Sequence, residues 1–271
     1  MTEQTPHYAL GSSDAEIARL DAQSAAIEGA TRLLLRAAGI ERGMRVLDLG
    51  TGLGHVATLI AELVGTEGTV VGIDTSARLL VVARERAAKH PQIKFVQGDV
   101  RTWRDTAPFD AVVGRLILFH LPDASSVLKH HVAALRSGGL LVALDFDLGS
   151  ARAEPAVPLA AEALAWVDAA FRGAGANPVV GAQLGPQLSA AGLADVQTFG
   201  VQPYLAPGDP HAPALISGVV RSLVPHIVEA GIATPQQVGI DTLGERIGAA
   251  LLASRSVLLP PALAGAWGRR R

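Results

Sequence analysis

The segment Val46–Gly54 reads Val-Leu-Asp-Leu-Gly-Thr-Gly-Leu-Gly, an apolar strand that runs straight into three glycines at alternate positions. Few features restrict a chain more. Glycine reaches left-handed backbone conformations at little cost and brings no Cβ, so a bound molecule can approach bare main chain at such a turn. The next apolar strand, residues 69–73, is followed by Asp74, whose carboxylate can accept hydrogen bonds from both hydroxyls of a ribose. Together these strand ends predict a nucleoside-containing cofactor lying across the carboxyl edge of a parallel sheet.

Around this pair strands and helices alternate. Strands are expected at 45–49, 69–73, 93–97, 110–115 and 140–146, and helices at 54–64, 77–89 and 124–136. Strands that are apolar throughout and alternate with helices argue for a parallel sheet covered on both faces. Right-handed crossovers then gather the intervening loops at one edge. Ahead of the sheet, Ser13-Asp-Ala-Glu16 has capping-box form and opens a helix with Ile17, Leu20 and Ile27 on one face. A second helical stretch is expected up to Ala38, closed by Gly39.

Beyond Phe146, helices are expected at 155–171 and 181–191, a strand at 195–205 and a last strand at 256–267. Residues 206–253, between those strands, carry helical patterning at 214–230 and 235–252, far more chain than a hairpin loop needs. We read this insert as a helical lid over a substrate, with a plain packing or dimerisation module as the alternative. The expected division is 1–40 as N-terminal cap helices, 41–205 with 254–271 as the core, and 206–253 as the lid insert.

A chain of 271 residues with 49% apolar content can bury one large core, or a core and a subdomain. Its net charge of −2, with acids and bases interspersed, argues against nucleic acid or a membrane surface as partner. The one basic run, Arg269-Arg270-Arg271, reads as a solvated tail. Absence of cysteine excludes disulfides, a thiolate nucleophile and cysteine-ligated metal. The opening Met-Thr-Glu-Gln-Thr-Pro has neither charged leader nor apolar h-region, and apolar stretches end well before about 18 residues. A soluble, cytoplasmic protein is expected.

Glycine spacing separates two cofactor classes. The dinucleotide fingerprint is Gly-x-Gly-x-x-Gly, whereas this chain has Gly50-x-Gly52-x-Gly54 with Asp48 before the turn. That pattern resembles motif I of the class I S-adenosylmethionine-dependent methyltransferases, and other segments continue the likeness. Asp74-Thr75-Ser76 resembles the family's ribose-binding acid, and Phe95-Val-Gln-Gly-Asp99-Val100 its adenine-binding strand end. Phe109-Asp-Ala-Val-Val-Gly-Arg115, with His120-Leu-Pro-Asp123, resembles its fourth strand, and Leu135-Arg-Ser-Gly-Gly-Leu-Leu-Val142 the turn into its fifth.

Three further segments are similar to one small-molecule group within that superfamily: Tyr8-Ala-Leu-Gly-Ser-Ser13, Glu16-Ile-Ala-Arg-Leu-Asp-Ala-Gln23 and Gly265-Ala-Trp-Gly-Arg269. The resemblance therefore covers nearly the whole chain. It implies a Rossmann-like α/β fold, with a seven-stranded, mostly parallel sheet, helices on both faces, N-terminal helices and the lid insert. It implies methyl transfer from S-adenosylmethionine to a small organic acceptor, with oxygen as first choice and specialised metabolism as the setting. A homodimer is compatible with it.

On that resemblance Gly50, Thr51 and Gly52 offer backbone to the methionine and ribose parts, the alternative being a tight turn without a ligand. Asp48 either anchors the turn or holds the methionine ammonium through water. Asp74, with Thr75 beside it, takes the ribose hydroxyls, against the alternative of a surface helix cap. Asp99 and the Val100 N–H read the adenine edge. Arg115 either clamps the methionine carboxylate with its planar fork or makes a surface salt bridge. Tyr8 contacts the pocket from an N-terminal flap or belongs to a loose tail.

Methyl transfer from a sulfonium is an in-line displacement that depends on positioning and water exclusion, so a metal is optional. None is expected: His130 and His131 are helix neighbours aimed at different faces. For a hydroxyl acceptor, His120 is the candidate base at the rim of the fourth strand, or else a packed histidine at the Pro122 turn. Asp145 ends the fifth strand facing the same cleft, where it orients an acceptor or caps a turn. His211 and His226 read as surface residues. Trp166, Phe171 and Tyr204 line an acceptor pocket or pack a core.

Three rivals remain at this level. A member of the same fold can use the cofactor's charge to assist a rearrangement or cyclisation. A nicotinamide dehydrogenase is disfavoured by the glycine spacing. A nucleic-acid methyltransferase is disfavoured because the loop after the fourth strand, Gly114-Arg-Leu-Ile117, has no base-flipping motif.

Overall fold

The computed structural model describes residues 14–271, with side chains from Ile17 onward; Tyr8, the Tyr8–Ser13 segment and the proposed Ser13 cap lie outside the described residues. The chain opens with α1 (Asp14–Ala38), one continuous helix where two were expected. No proline interrupts Ala22–Leu35, Gly29 is tolerated within the helix, and the helix ends where Gly39 turns left-handed at φ 93°. There the Ile40 N–H donates to Leu35 O at 3.1 Å, closing the last turn.

Next come β1 (Arg45–Leu49), α2 (His55–Val64), β2 (Thr69–Asp74), α3 (Ala77–Arg86), β3 (Ile93–Gln97), β4 (Phe109–Arg115), α4 (Ala124–Val132) and β5 (Leu135–Asp147). α3 starts at Ser76, whose hydroxyl accepts the Leu79 N–H, and α4 at Asp123, whose carboxylate accepts the Ser126 N–H. α4 is shorter than expected and β5 longer. Leu135 already pairs with Phe109, and the register then jumps to Leu140 opposite Ala111. Gly138, at φ 71°, turns the intervening bulge.

After β5 follow β6 (Arg152–Glu154), α5 (Pro158–Gly173), α6 (Val180–Ala190), β7 (Leu193–Val201), α7 (His211–Glu229), α8 (Pro235–Val238), α9 (Ile240–Ala253), β8 (Val257–Leu259) and β9 (Ala262–Arg270). The single last strand expected at 256–267 is two strands, because Pro260-Pro261 supplies no N–H for a ladder.

The main sheet has seven strands in the order β3-β2-β1-β4-β5-β9-β7. β1 pairs in parallel with β2 on one side, Val46 opposite Val70, and with β4 on the other, Val46 opposite Ala111. Strand order thus reverses at β1, which makes the turn after it the switch point where ligands bind in open α/β sheets. Phe109, Leu47, Ile60, Ile73 and Leu141 fill the core around these strands and are fully or almost fully buried.

Two compact units result. The first runs through Asp145 and adds Gln183–Phe199 and Gly265–Arg271; the second holds Phe146–Ala182 and Gly200–Ala264. The expected division gave 146–182 to the core and confined the insert to 206–253. In the structure α5 packs on α7 and α9 around Trp166, Val220 and Ile247, because its own apolar face matches theirs. β6 and β8 add a two-stranded antiparallel ladder to that second unit.

Arg269 and Arg270 are not a solvated tail. They lie in β9, and their guanidinium groups donate to the carbonyls of Gly138 at 3.1 Å and Ala133 at 2.9 Å. Among the described residues no helix is long and apolar enough to cross a membrane.

Candidate active site

The turn after β1 takes its form from three left-handed glycines: Gly50 at φ 64°, Gly52 at φ 51° and Gly54 at φ 78°. Their surroundings differ. A Cβ at Gly50 would stand 2.7 Å from Ile117 Cδ1, and one at Gly54 would stand 2.9 Å from Phe95 Cζ. A Cβ at Gly52 would meet no protein atom nearer than Gly50 O, at 4.0 Å. Packing explains the outer two glycines, while the middle one opens onto free space that a ligand can use.

β2 brings Asp74 to this bend. The Gly52 N–H donates to Asp74 Oδ2 at 2.9 Å, and the Ser76 N–H donates to Oδ1 at 2.8 Å. Burial raises the Asp74 carboxyl above its usual range, and these backbone donors oppose the shift. Each oxygen keeps lone pairs for further donors such as vicinal hydroxyls. Thr75, next in line, is exposed, and its carbonyl accepts the Gln97 side-chain amide at 3.0 Å.

Asp48, one strand over, is buried beneath the turn and accepts the Thr51 hydroxyl at 2.5 Å. Desolvation pushes its carboxyl up to about 7, against the Thr51 hydrogen bond and the Arg115 charge. Arg115, at the end of β4, spends its fork on α1. Nη1 donates to Thr31 Oγ1 at 3.1 Å and Nη2 to Ser24 Oγ at 2.9 Å. Burial lowers the guanidinium to about 10, although Asp48 favours its charge. Arg115 therefore fastens the N-terminal helix to the strand end, a link that spacing alone did not reveal.

Past β4 the backbone is strained. Leu116 takes a left-handed φ of 55°, costly for a side chain with a Cβ, and its N–H is held by Leu144 O at 2.8 Å. This turn delivers Ile117 onto Gly50. Asp145, buried at its position in β5, accepts the Phe119 N–H at 3.2 Å and so braces the short 118–120 turn. His120 stands on that turn, edge-on to the Phe119 ring at 5.0 Å. The protein mass around it and the Arg19 charge draw its imidazole down toward about 4. The residue as a whole is nonetheless exposed.

At the end of β3, the Arg101 side chain grips Asp99, with Nε at 2.9 Å from both oxygens and Nη2 on Oδ2, and holds that carboxyl below its usual range. Val100 is buried, and its carbonyl meets His131 Nε2 at 2.7 Å. Near this loop a cavity of about 230 Å³ is lined by Arg101, Leu121, Pro122, Asp123, Ser126 and Val127.

Of the expected residues, Asp48, Gly50, Thr51, Gly52, Asp74 and Arg115 converge on the switch point, with Asp99 and Val100 at the neighbouring strand end. Outside the cluster, Trp166 is buried in the core of the second unit, with Phe171 packed against it, while Tyr204 is exposed. His211 is exposed beside Asp209, whereas His226 is half-buried rather than on the surface.

Known proteins agree with this architecture. Residues 40–172 match the family model described as "Methyltransferase domain". That match, which spans just under half of the chain, is to a methyltransferase domain, as the sequence resemblance implies. Among curated relatives, the trans-aconitate 2-methyltransferase of Azoarcus sp. (strain BH72) is 35% identical over 112 residues, 41% of this chain and 43% of that protein. The demethylmenaquinone methyltransferase of Staphylococcus aureus (strain MRSA252) is 34% identical over 109 residues, 40% of this chain and 45% of that protein. The chain thus spans less than half the length of the curated relatives it matches. Among solved structures, phosphoethanolamine N-methyltransferase 2 of Haemonchus contortus, crystallised with S-adenosyl-L-methionine, superposes with a TM-score of 0.56 at 20% identity. That superposition covers 90% of this chain and 53% of the other, and it shows the shared fold.

Proposed function

We propose that this chain transfers the methyl group of S-adenosylmethionine to a small organic acceptor, with oxygen as the preferred atom and specialised metabolism as the setting. The observation that carries this reading is the Gly52–Asp74 pairing at the switch point, with open space above Gly52. The residues fit the cofactor's parts. Asp74 takes the ribose hydroxyls, the Gly50–Gly52 backbone lies along the methionine and ribose, Asp48 attracts the ammonium, and Asp99 with the Val100 N–H reads the adenine.

The sulfonium supplies an electrophilic methyl group, so the protein's part is to hold donor and acceptor in line and keep water out. We assign His120, on the turn braced by Asp145, the role of accepting the proton of a hydroxyl acceptor; its exposure on that turn supports the reading. The relatives named above methylate an acid and a quinone precursor by their names, which supports a small acceptor without choosing one.

Mass spectrometry of reactions with candidate acceptors tests this reading. Transfer yields a product heavier by one CH2 together with S-adenosylhomocysteine. A product of unchanged mass formed in the cofactor's presence would replace transfer with rearrangement.

A further inference from the structure

His130 and His131 sit side by side on α4 and look at first like a failed metal pair. In the structure they act on one target. His130 Nε2 lies 2.8 Å from Trp103 O, and His131 Nε2 lies 2.7 Å from Val100 O. A carbonyl can only accept, so both rings carry hydrogen on Nε2. The two imidazoles meet edge-on, 4.8 Å apart at 84°, which fixes each against the other.

Their target is the turn that follows β3. It is tied at its start by the Gly98 N–H to Asp74 O at 2.9 Å and closed by the Thr102 and Trp103 N–H groups on Asp99 O. Trp103 packs over Gly98, where a Cβ would come within 2.6 Å of the indole. This turn follows the edge strand of the sheet. Its Val100 carbonyl points inward to His131, which is 1% exposed and which burial keeps neutral, with a pKa near 4.

We propose that His131 is a positioning residue for base recognition. By holding the Val100 carbonyl, it sets the plane of the Val100–Arg101 peptide, whose Arg101 N–H donates to Asp99 Oδ1 at 2.8 Å, and so the direction in which the Asp99 carboxylate meets adenine. His130 secures the far end of the same turn. The inference rests on the proposed placement of adenine at Asp99 and Val100.

Two probes differing only at the base test it: S-adenosylhomocysteine, and S-inosylhomocysteine, which replaces the adenine amino group by a carbonyl oxygen. Calorimetry on the full chain is expected to show His131→Ala weakening S-adenosylhomocysteine by at least about fivefold, the scale of one misaligned hydrogen-bond pair. The S-inosylhomocysteine affinity should stay within about twofold, so that discrimination between the bases collapses. His131→Gln, which keeps a donor near the Nε2 position, should restore most of it. If His131→Ala does not fold, His131→Leu and His131→Gln carry the same comparison.

Equal weakening of both probes, or a lower melting temperature with unchanged discrimination, would overturn the proposal and leave His131 as scaffolding. Asp99→Ala is the control on the underlying placement. If it leaves S-adenosylhomocysteine affinity unchanged, adenine is read elsewhere and both ideas fall; if it weakens binding while His131→Ala does not, only the positioning role fails.

Discussion

The Gly52 N–H donates to Asp74 Oδ2 across 2.9 Å, joining the turn after β1 to the tip of β2. One donor and one acid from adjacent parallel strands thus define the centre of the site. A second backbone donor, from Ser76, holds the other oxygen and fixes the carboxylate plane. An acid restrained in this way loses little freedom when it binds a pair of hydroxyls.

Alanine substitutions should separate packing from binding within the glycine turn. Gly50→Ala adds a methyl group 2.7 Å from Ile117 at a left-handed residue, so stability is expected to fall by roughly 2–4 kcal/mol. Gly52→Ala meets no clash and should cost only about 1 kcal/mol of backbone strain. It should nevertheless weaken S-adenosylhomocysteine by about tenfold or more, because the methyl group fills the ligand's space. Urea unfolding and calorimetry on both variants give the contrast; equal binding losses with equal stability losses would refute it.

Asp48 predicts a pH dependence. Its folded-state pKa, about 7, lies above the ordinary 3.8, so the unliganded fold retains a proton that the unfolded chain releases. Its contribution to stability is therefore complete below 3.8 and is lost as pH rises through about 7. An ammonium nearby favours the ionised form, so cofactor affinity should rise with pH across the same window. Asp48→Asn, which keeps a neutral partner for Thr51, should flatten both trends. Melting curves and calorimetry between about pH 5 and pH 8 provide the check; identical slopes in variant and wild type would show that Asp48 does not titrate there.

Arg115 links stability to the site. Removing its guanidinium leaves the buried Ser24 and Thr31 hydroxyls without that donor, so Arg115→Ala is expected to cost roughly 2–4 kcal/mol in urea unfolding. Thr31→Val should cost only about 1 kcal/mol and leave cofactor affinity within about twofold. Loss of affinity in Arg115→Ala well beyond that in Thr31→Val would assign the guanidinium to the methionine carboxylate as well.

Much of this arrangement was legible in the sequence because it follows from local chemistry. The glycine turn, the acid at the next strand end and the alternation of apolar strands with helices each have a short-range cause, and they located Asp48, Gly52 and Asp74 together. What escaped depends on contacts between distant segments. The grip of Arg115 on Ser24 and Thr31 spans over eighty residues. The α5 helix looked like part of the core because its amphipathic face does not say which partner covers it. The split of the last strand was signalled by Pro260-Pro261 and missed. Nothing in a histidine pair such as His130 and His131 indicates which carbonyls its rings will meet.

Calorimetric titration of Asp74→Ala with S-adenosylhomocysteine tests the central claim most directly, with Asp74→Asn and a melting curve to show that the fold persists. The account predicts affinity at least about tenfold weaker for Asp74→Ala, equivalent to about 1.4 kcal/mol of binding free energy. A folded Asp74→Ala variant that binds as tightly as the wild type would contradict it.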